Sequence, residues 1–179
     1  SPFESESRES LEEITSNTAV NPLELLKTLY SNRAAAYLQM QDYSNSLDDC
    51  NYVLSKLDST NIKVNVRACR AAIQLGKLAG AQKYVKEGLK QQPSNSVLKK
   101  EHRRVTQMLQ WTMMGSKQLS SQQYAAAKST YSNLLKEAPA ATSFLLGAAQ
   151  ADLGLGLTDS TLRLTKRVLL QNPQNPKGC

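Results

Sequence analysis

The sequence predicts an all-α fold in which pairs of helices repeat along the chain and stack into a solenoid. Three helical segments end at a proline in similar contexts, LKQQPSN at 89–95, LKEAPAA at 135–141 and LQNPQN at 170–175. Proline cannot continue an α-helix, so each of these segments marks the end of one helical pair. Recurrence of such an end in a similar sequence context is typical of a repeat protein.

Each helical pair has a turn between its two helices. The four turn segments are MQDYSNS at 40–46, LGKLAGA at 75–81, SSQQYAAA at 120–127 and LGLTDST at 155–161. Alignment of these turns divides the chain into units that are each about 34 residues long. The predicted units are 27–61, 62–95, 108–141 and 142–175.

Equivalent positions of the units carry side chains of similar size. Bulky residues open the first helix of three units, at Tyr30, Trp111 and Leu145. Small residues occupy the position where the two helices of a pair are expected to cross, at Ala34, Cys69, Gly115 and Ala149. Small side chains let antiparallel helices approach closely, and bulky ones fill the space between neighbouring units. The pattern resembles the tetratricopeptide-repeat (TPR) family, which implies a right-handed superhelical solenoid of about four helix-turn-helix repeats.

The predicted units leave three other segments. Residues 1–20 form an acidic N-terminal segment or the remnant of an earlier repeat, residues 96–107 a basic helical connector, and residues 176–179 a C-terminal tail. The first TPR block then covers 21–95 and the second 108–175, with two repeats each. The connector contains neither Pro nor Gly, so we expect one long helix that includes the first helix of the third unit.

The charge of the chain points to an anionic partner. The formal net charge is +7, and residues 61–110 alone hold eleven Lys or Arg residues against two acidic residues. A local excess of this size attracts anions over a long range. Nucleic acid, an anionic membrane and an acidic peptide all remain candidate partners when the charge is considered alone.

The composition argues against a catalytic or metal-binding protein. His102 is the only histidine, and it lies in a basic cluster without the residue spacing of a metal site. Neither a Ser-His-Asp set nor a Cys-His set can be assembled around it, and no carboxylate pair is evident. We therefore expect no enzyme activity, no catalytic residues, no metal and no cofactor.

Cysteine use and hydropathy predict an intracellular protein. Cys50, Cys69 and Cys179 are an odd number and form no CxxC pair. This favours a reducing compartment, the cytoplasm, with the nucleus as an alternative. No apolar stretch has the length of a membrane span, so we expect no membrane partner. Cys50 and Cys69 occupy repeat positions for small core residues, and packing explains them.

A cluster of basic residues on one predicted helix is the strongest candidate binding site. In the segment at 62–75, Lys63, Arg67 and Arg70 recur at intervals of four and three residues and therefore share one helix face. First helices line the concave face of such a solenoid. Asn32 occupies the position of the preceding unit that is equivalent to Arg67. Arg holds a carboxylate through two parallel hydrogen bonds, Lys adds a charge and Asn donates from its amide.

This set resembles the two-carboxylate clamp of TPR cochaperones, which binds the C-terminal Glu-Glu-Val-Asp tail of heat-shock protein 70 and heat-shock protein 90. The resemblance implies that Asn32, Lys63 and Arg67 are clamp residues and that Arg70 is an additional groove contact. The first two clamp positions of the family, in a KxxGN stretch, have no counterpart in this sequence. The resemblance therefore implies a chaperone adaptor with a partial clamp.

The order of two repeats, a basic connector and two further repeats is most similar to the TPR region of TPR-containing J-domain (DnaJ-like) cochaperones. In that family the second block lacks clamp residues, and Met113 and Gly147 occupy the equivalent positions here. No His-Pro-Asp tripeptide occurs, so a J-domain would lie outside this chain.

Two other functions remain open. One is a TPR adaptor of a non-chaperone complex, which receives a helix or an extended segment of its partner in the groove. The other is an RNA-associated TPR protein that uses the basic surface. The lack of interleaved aromatic residues disfavours nucleic acid as a partner. The sequence does not predict an oligomeric state.

Overall fold

The computed structural model describes residues 21–171, and these residues form eight α-helices and no strand. The helices are α1 (Pro22–Gln39), α2 (Tyr43–Tyr52), α3 (Ile62–Gln74), α4 (Leu78–Gln91), α5 (Ser96–Ser120), α6 (Tyr124–Glu137), α7 (Thr142–Gly154) and α8 (Thr158–Gln171). The N-terminal segment at 1–20 and the C-terminal tail at 176–179 lie outside the described residues.

The helices pack in sequence order as four pairs. Within each pair the two helices are in contact, and each pair packs on the next through α2 with α3, α4 with α5, and α6 with α7. The first helices also contact one another, α1 with α3, α3 with α5, and α5 with α7, whereas the second helices of residues 21–171 have no comparable contacts among themselves. The first helices therefore form one continuous layer of the predicted solenoid.

The four turns between paired helices share one backbone conformation. Each contains a residue with positive φ, which is Gly76 or Gly156 in two turns and Gln41 or Gln122 in the others. The following residue donates its N–H to a carbonyl five residues earlier, at 2.8–2.9 Å in all four turns. This bond is the mark of a Schellman cap, which ends a helix. The predicted turn segments are confirmed.

A single buried apolar cluster runs from Ala34 in α1 to Ala151 in α7. The small residues predicted at the helix crossings are all buried, namely Ala34, Cys69, Gly115 and Ala149. On α8, by contrast, Leu162 is 70% exposed and Leu169 is 66% exposed. No later helix of the described chain covers this outer face, so the last pair buries less of its surface.

The basic connector is the first part of a long helix, as predicted. The helix α5 has 25 residues, and the Asn95 side chain caps it by accepting a hydrogen bond from Leu98 N at 3.1 Å. Leu98 and Val105 are completely buried, and Leu98 packs beside Gly88 of α4. This segment is therefore packed into the solenoid. The division of the chain into two TPR blocks remains a prediction.

The ring of Tyr131 in α6 packs between glycines of two neighbouring helices. A methyl group placed on Gly115 of α5 would lie 3.0 Å from the ring, and one placed on Gly147 of α7 would overlap the ring. Tyr131 is only 5% exposed, so the ring has little room to move away. The glycine at 147 is therefore explained by helix packing.

We expect Gly147→Ala to lower the free energy of unfolding by about 1–3 kcal/mol, the usual cost of overpacking a buried site. Gly80 of α4 offers a matched control, because a methyl group there would approach no atom more closely than 4.0 Å. Alanine is also the better helix former, so Gly80→Ala should keep or raise stability. Thermal unfolding followed by circular dichroism compares the two variants. A midpoint for Gly147→Ala at or above that of the wild type would contradict this packing.

Candidate functional site

The helix α3 turns one face to the core and the other to an open groove. Asn61 caps the helix by accepting a hydrogen bond from Val64 N at 3.2 Å. The buried face carries small and apolar side chains, which are Val64, Ala68, Cys69, Ala71, Ala72 and Ile73. The helical period of 3.6 residues leaves the predicted basic residues on the opposite side.

The structure brings three of the four predicted site residues together. Lys63, Arg67 and Arg70 line one open groove of about 350 Å³ between α3 and the start of α5. The remaining lining residues are mostly apolar, namely Ile62, Val66, Asn95 and Val97. The lining thus combines three cations with three apolar side chains, Ile62, Val66 and Val97, which we call the apolar floor of the groove. A peptide that carries two carboxylates and an aliphatic side chain would complement the cations and the apolar residues of this groove.

Arg67 also reaches across to α1. Its Nη1 donates to the backbone oxygen of Ser31 at 3.0 Å and to the Ser31 Oγ at 2.6 Å. Within residues 21–171, no protein acceptor bonds the Nε or the Nη2 of Arg67. The guanidinium is therefore anchored at one end and retains donors at the other.

Asn32, the fourth predicted residue, follows Ser31 directly on α1 and has an exposed side chain. It does not line the groove of Lys63, Arg67 and Arg70. The structure places it next to the anchor of Arg67 and leaves its amide free of protein hydrogen bonds within the described chain.

A buried acidic residue, which the sequence analysis did not single out, fixes Arg70. The Glu101 side chain is 5% exposed, and its Oε1 accepts a hydrogen bond from Arg70 Nε at 2.7 Å. The Nη1 of Arg104 lies 3.5 Å from the other oxygen of Glu101. Arg104 in turn donates its Nε to the Glu137 carboxylate at 2.7 Å. The only sequence signal is that one acid interrupts the basic run KKEHRR.

These side chains form a second groove beside the first. Its lining consists of Arg70, Lys100, Glu101, Arg104 and Glu137. Arg70 belongs to both grooves. The two grooves therefore form one strip that runs from α3 to α5.

The layer of first helices has a different character at α5 and α7. Met113 on α5 is 75% exposed and Leu146 on α7 is 49% exposed. Gly147 occupies the position equivalent to Arg67 and contacts Tyr131. The two positions here that are equivalent to Asn32 and Arg67 of the predicted clamp, Met113 and Gly147, therefore carry no cation.

Among residues 21–171, no group of three or more His, Cys, Asp or Glu residues is arranged to hold a metal ion. No helix in that range is both long enough and apolar enough to cross a membrane.

The two described cysteines are core residues. Cys50 and Cys69 are both 0% exposed, and burial raises the pKa of each thiol to about 12. The thiols titrate near pH 8.5 in the unfolded chain. The preference of the folded state for protonated thiols therefore contributes fully to stability below that pH. The free energy of unfolding falls as the pH rises from there toward 12, because the unfolded chain loses these protons first. The reactive thiolate is scarce in the folded protein at neutral pH.

We expect neither Cys50 nor Cys69 to react with a thiol reagent at pH 8 until the protein unfolds. The Cys179→Ser variant isolates these two residues, since Cys179 lies outside the described chain. Urea near the unfolding midpoint should accelerate labelling at least tenfold, because it exposes both thiols. Rapid labelling of the native variant would contradict their burial.

Comparisons with known proteins agree with the fold. No family model matches the chain. Mouse "Protein unc-45 homolog B" is 36% identical to it over 86 residues, which are 48% of this chain and 9% of that protein. The crystal structure of the P58(IPK) TPR domain is similar with a TM-score of 0.64 and 18% identity, over 83% of this chain and 42% of that one. The predicted TPR fold is confirmed. The chain spans less than half the length of either protein.

Proposed function

We propose that this TPR-fold chain is a chaperone adaptor whose basic groove binds the acidic C-terminal tail, Glu-Glu-Val-Asp, of heat-shock protein 70 or heat-shock protein 90. The observation that carries the proposal is the groove whose lining combines Lys63, Arg67 and Arg70 with an apolar floor. The groove lies on the layer of first helices, where a solenoid offers its extended binding surface.

Each polar side chain of the proposed site would contribute a different interaction with the tail. Arg67 is held by Ser31 through Nη1 and keeps Nε and Nη2 for a ligand carboxylate. A preordered guanidinium loses less side-chain entropy on binding than a free one. Lys63 adds an exposed positive charge to the groove lining, and Asn32 offers amide donors beside Ser31.

The apolar floor accounts for the aliphatic residue of the tail. Ile62, Val66 and Val97 line the same groove as the basic side chains. The valine of Glu-Glu-Val-Asp would bury part of its side chain there, and burial contributes about 25 cal/mol per Å² of apolar surface. Charge draws the tail to the groove, and the floor selects tails with an apolar residue next to the end.

The resemblance to J-domain cochaperones supports the adaptor role. Such an adaptor brings a chaperone to another domain and needs no catalytic group of its own. Of the five positions of the TPR-cochaperone clamp, residues 21–171 carry matches to three, Asn32, Lys63 and Arg67. We expect micromolar or weaker binding, where a few charge-assisted hydrogen bonds oppose the cost of ordering the tail.

A second candidate is an adaptor that binds a helix or apolar segment of a partner from a non-chaperone complex. The exposed side chains of Met113 on α5 and Leu146 on α7 favour it, because methionine and leucine suit apolar contacts with such a segment. Neither side chain of this apolar surface lines the basic groove. Binding at the two surfaces is therefore separable by mutation.

Fluorescence anisotropy of a labelled peptide ending in Glu-Glu-Val-Asp tests the chaperone proposal. Arg67→Ala and Lys63→Ala should each weaken binding about 10- to 150-fold, because a lost hydrogen bond to a charged group costs about 1.5–3 kcal/mol. Lys86→Ala is the matched control, since this exposed lysine lies on α4 and outside the groove. The control should bind as the wild type does.

A peptide with an amidated C-terminus checks that the terminal carboxylate is recognised. It should bind at least tenfold more weakly to the wild type. Equal binding of the amidated peptide, or equal binding by Arg67→Ala and the wild type, would contradict the proposal. Circular dichroism of every variant should retain the helical spectrum, so that a loss of binding reports on the groove.

A further inference from the structure

The strip of basic residues continues beyond the three cations of the first groove. Lys100 on α5 lines the second groove together with Arg70. It is exposed and makes no ion pair with the carboxylates of residues 21–171. Across both grooves, five cations face the two carboxylates of Glu101 and Glu137, a net charge of +3.

The Nη1 and Nη2 groups of Arg70 donate to no acceptor of residues 21–171. Only its Nε is used, in the bond to Glu101, and 46% of its side chain is exposed. Arg104 differs, because its Nε and Nη2 donate hydrogen bonds to Glu137 and its Nη1 lies near Glu101. Arg70 and Lys100 are therefore the cations of this groove that are free to meet a ligand.

The buried Glu101 has the role of holding Arg70 in place. One of its oxygens bonds Arg70, and the other has no hydrogen-bond partner in the described chain. A carboxylate that is 95% buried is stable only with its charge compensated. Arg70 and Arg104 supply that compensation from both sides, and Arg70 is thereby fixed at the junction of the two grooves.

We propose that Arg70 and Lys100 form a second anionic subsite, which binds an acidic side chain about three residues before the C-terminal residue of the peptide. The proposal rests on the proposed function of the first groove. Lys63 and Arg70 are seven residues apart on α3, about 10.5 Å at 1.5 Å per residue. An extended peptide covers this distance in about three residues at roughly 3.3 Å each.

In a tail that ends in Glu-Glu-Val-Asp, this position is the first Glu. The strip thus selects peptides with two anionic groups about 10 Å apart, the terminal one at Lys63 and Arg67 and the upstream one at Arg70 and Lys100. Glu101 is a positioning residue of the second subsite. Its carboxylate fixes the position of Arg70 through the hydrogen bond to Nε.

A double-mutant cycle tests the subsite in the full chain. The peptide Glu-Glu-Val-Asp is compared with Gln-Glu-Val-Asp on the wild type and on Lys100→Ala. The wild type should bind the Gln peptide about 3- to 10-fold more weakly, whereas Lys100→Ala should bind the two peptides within twofold of each other. Lys99→Ala, a neighbouring exposed lysine that lines neither groove, should keep the full preference of the wild type.

A separate variant tests the positioning role of Glu101. Glu101→Gln keeps the size of the side chain and removes the charge that holds Arg70. It should reduce the preference for the Glu peptide while the requirement for the free terminal carboxylate stays, a pattern that a general loss of structure would not produce.

The outcomes separate the subsite from the function on which it rests. Equal preference for the Glu peptide in the wild type and in Lys100→Ala would overturn the second subsite. If the same titrations still require the free C-terminal carboxylate and Arg67, the proposed function stands. Binding that is indifferent to amidation of the terminus would overturn both.

Discussion

The burial of one face of α3 is the constraint on which the rest of the structure depends. Val64 and Ile73 are completely buried, as are the alanines between them. Burial of one such side chain contributes about 1.5–3 kcal/mol, whereas repulsion between exposed like charges at helix spacing costs a few tenths of a kcal/mol. Packing therefore fixes the rotation of α3 about its axis. Lys63, Arg67 and Arg70 consequently face the groove despite their mutual repulsion.

The ion pairs of Glu101 tie this helix to the long helix α5. Glu101 bonds Arg70 of α3, and Arg104 extends the network to Glu137 at the end of α6. Three helices thus meet at partners that lie 31 and 33 residues apart in sequence. Removal of the Glu101 charge would leave Arg70 without its anchor, at the point where the two grooves join. The network links the register of α5 to the geometry of the two grooves.

The repeat, its turns and the long helix could be predicted from the sequence because they depend on local signals. Prolines, turn segments and the spacing of small residues mark each helix end and crossing. The burial of Glu101 could not be predicted, since it depends on which residues of distant helices meet. The same holds for Gly147, which aligns with the predicted clamp position of Arg67 but packs against Tyr131. Asn32 shares the predicted helix layer, yet its side chain lies outside the groove wall.

Backbone amide shifts in a ¹⁵N-labelled sample, titrated with the Glu-Glu-Val-Asp peptide, test most directly whether the basic groove is the binding surface. Peptide in the groove should shift amides of α3 between Lys63 and Arg70, of α1 near Ser31, and of α5 near Val97. Amides of α4 and α6, which are second helices of their pairs, should change little. Shifts centred on Met113 and the facing part of α7 would contradict the basic groove and favour the apolar surface.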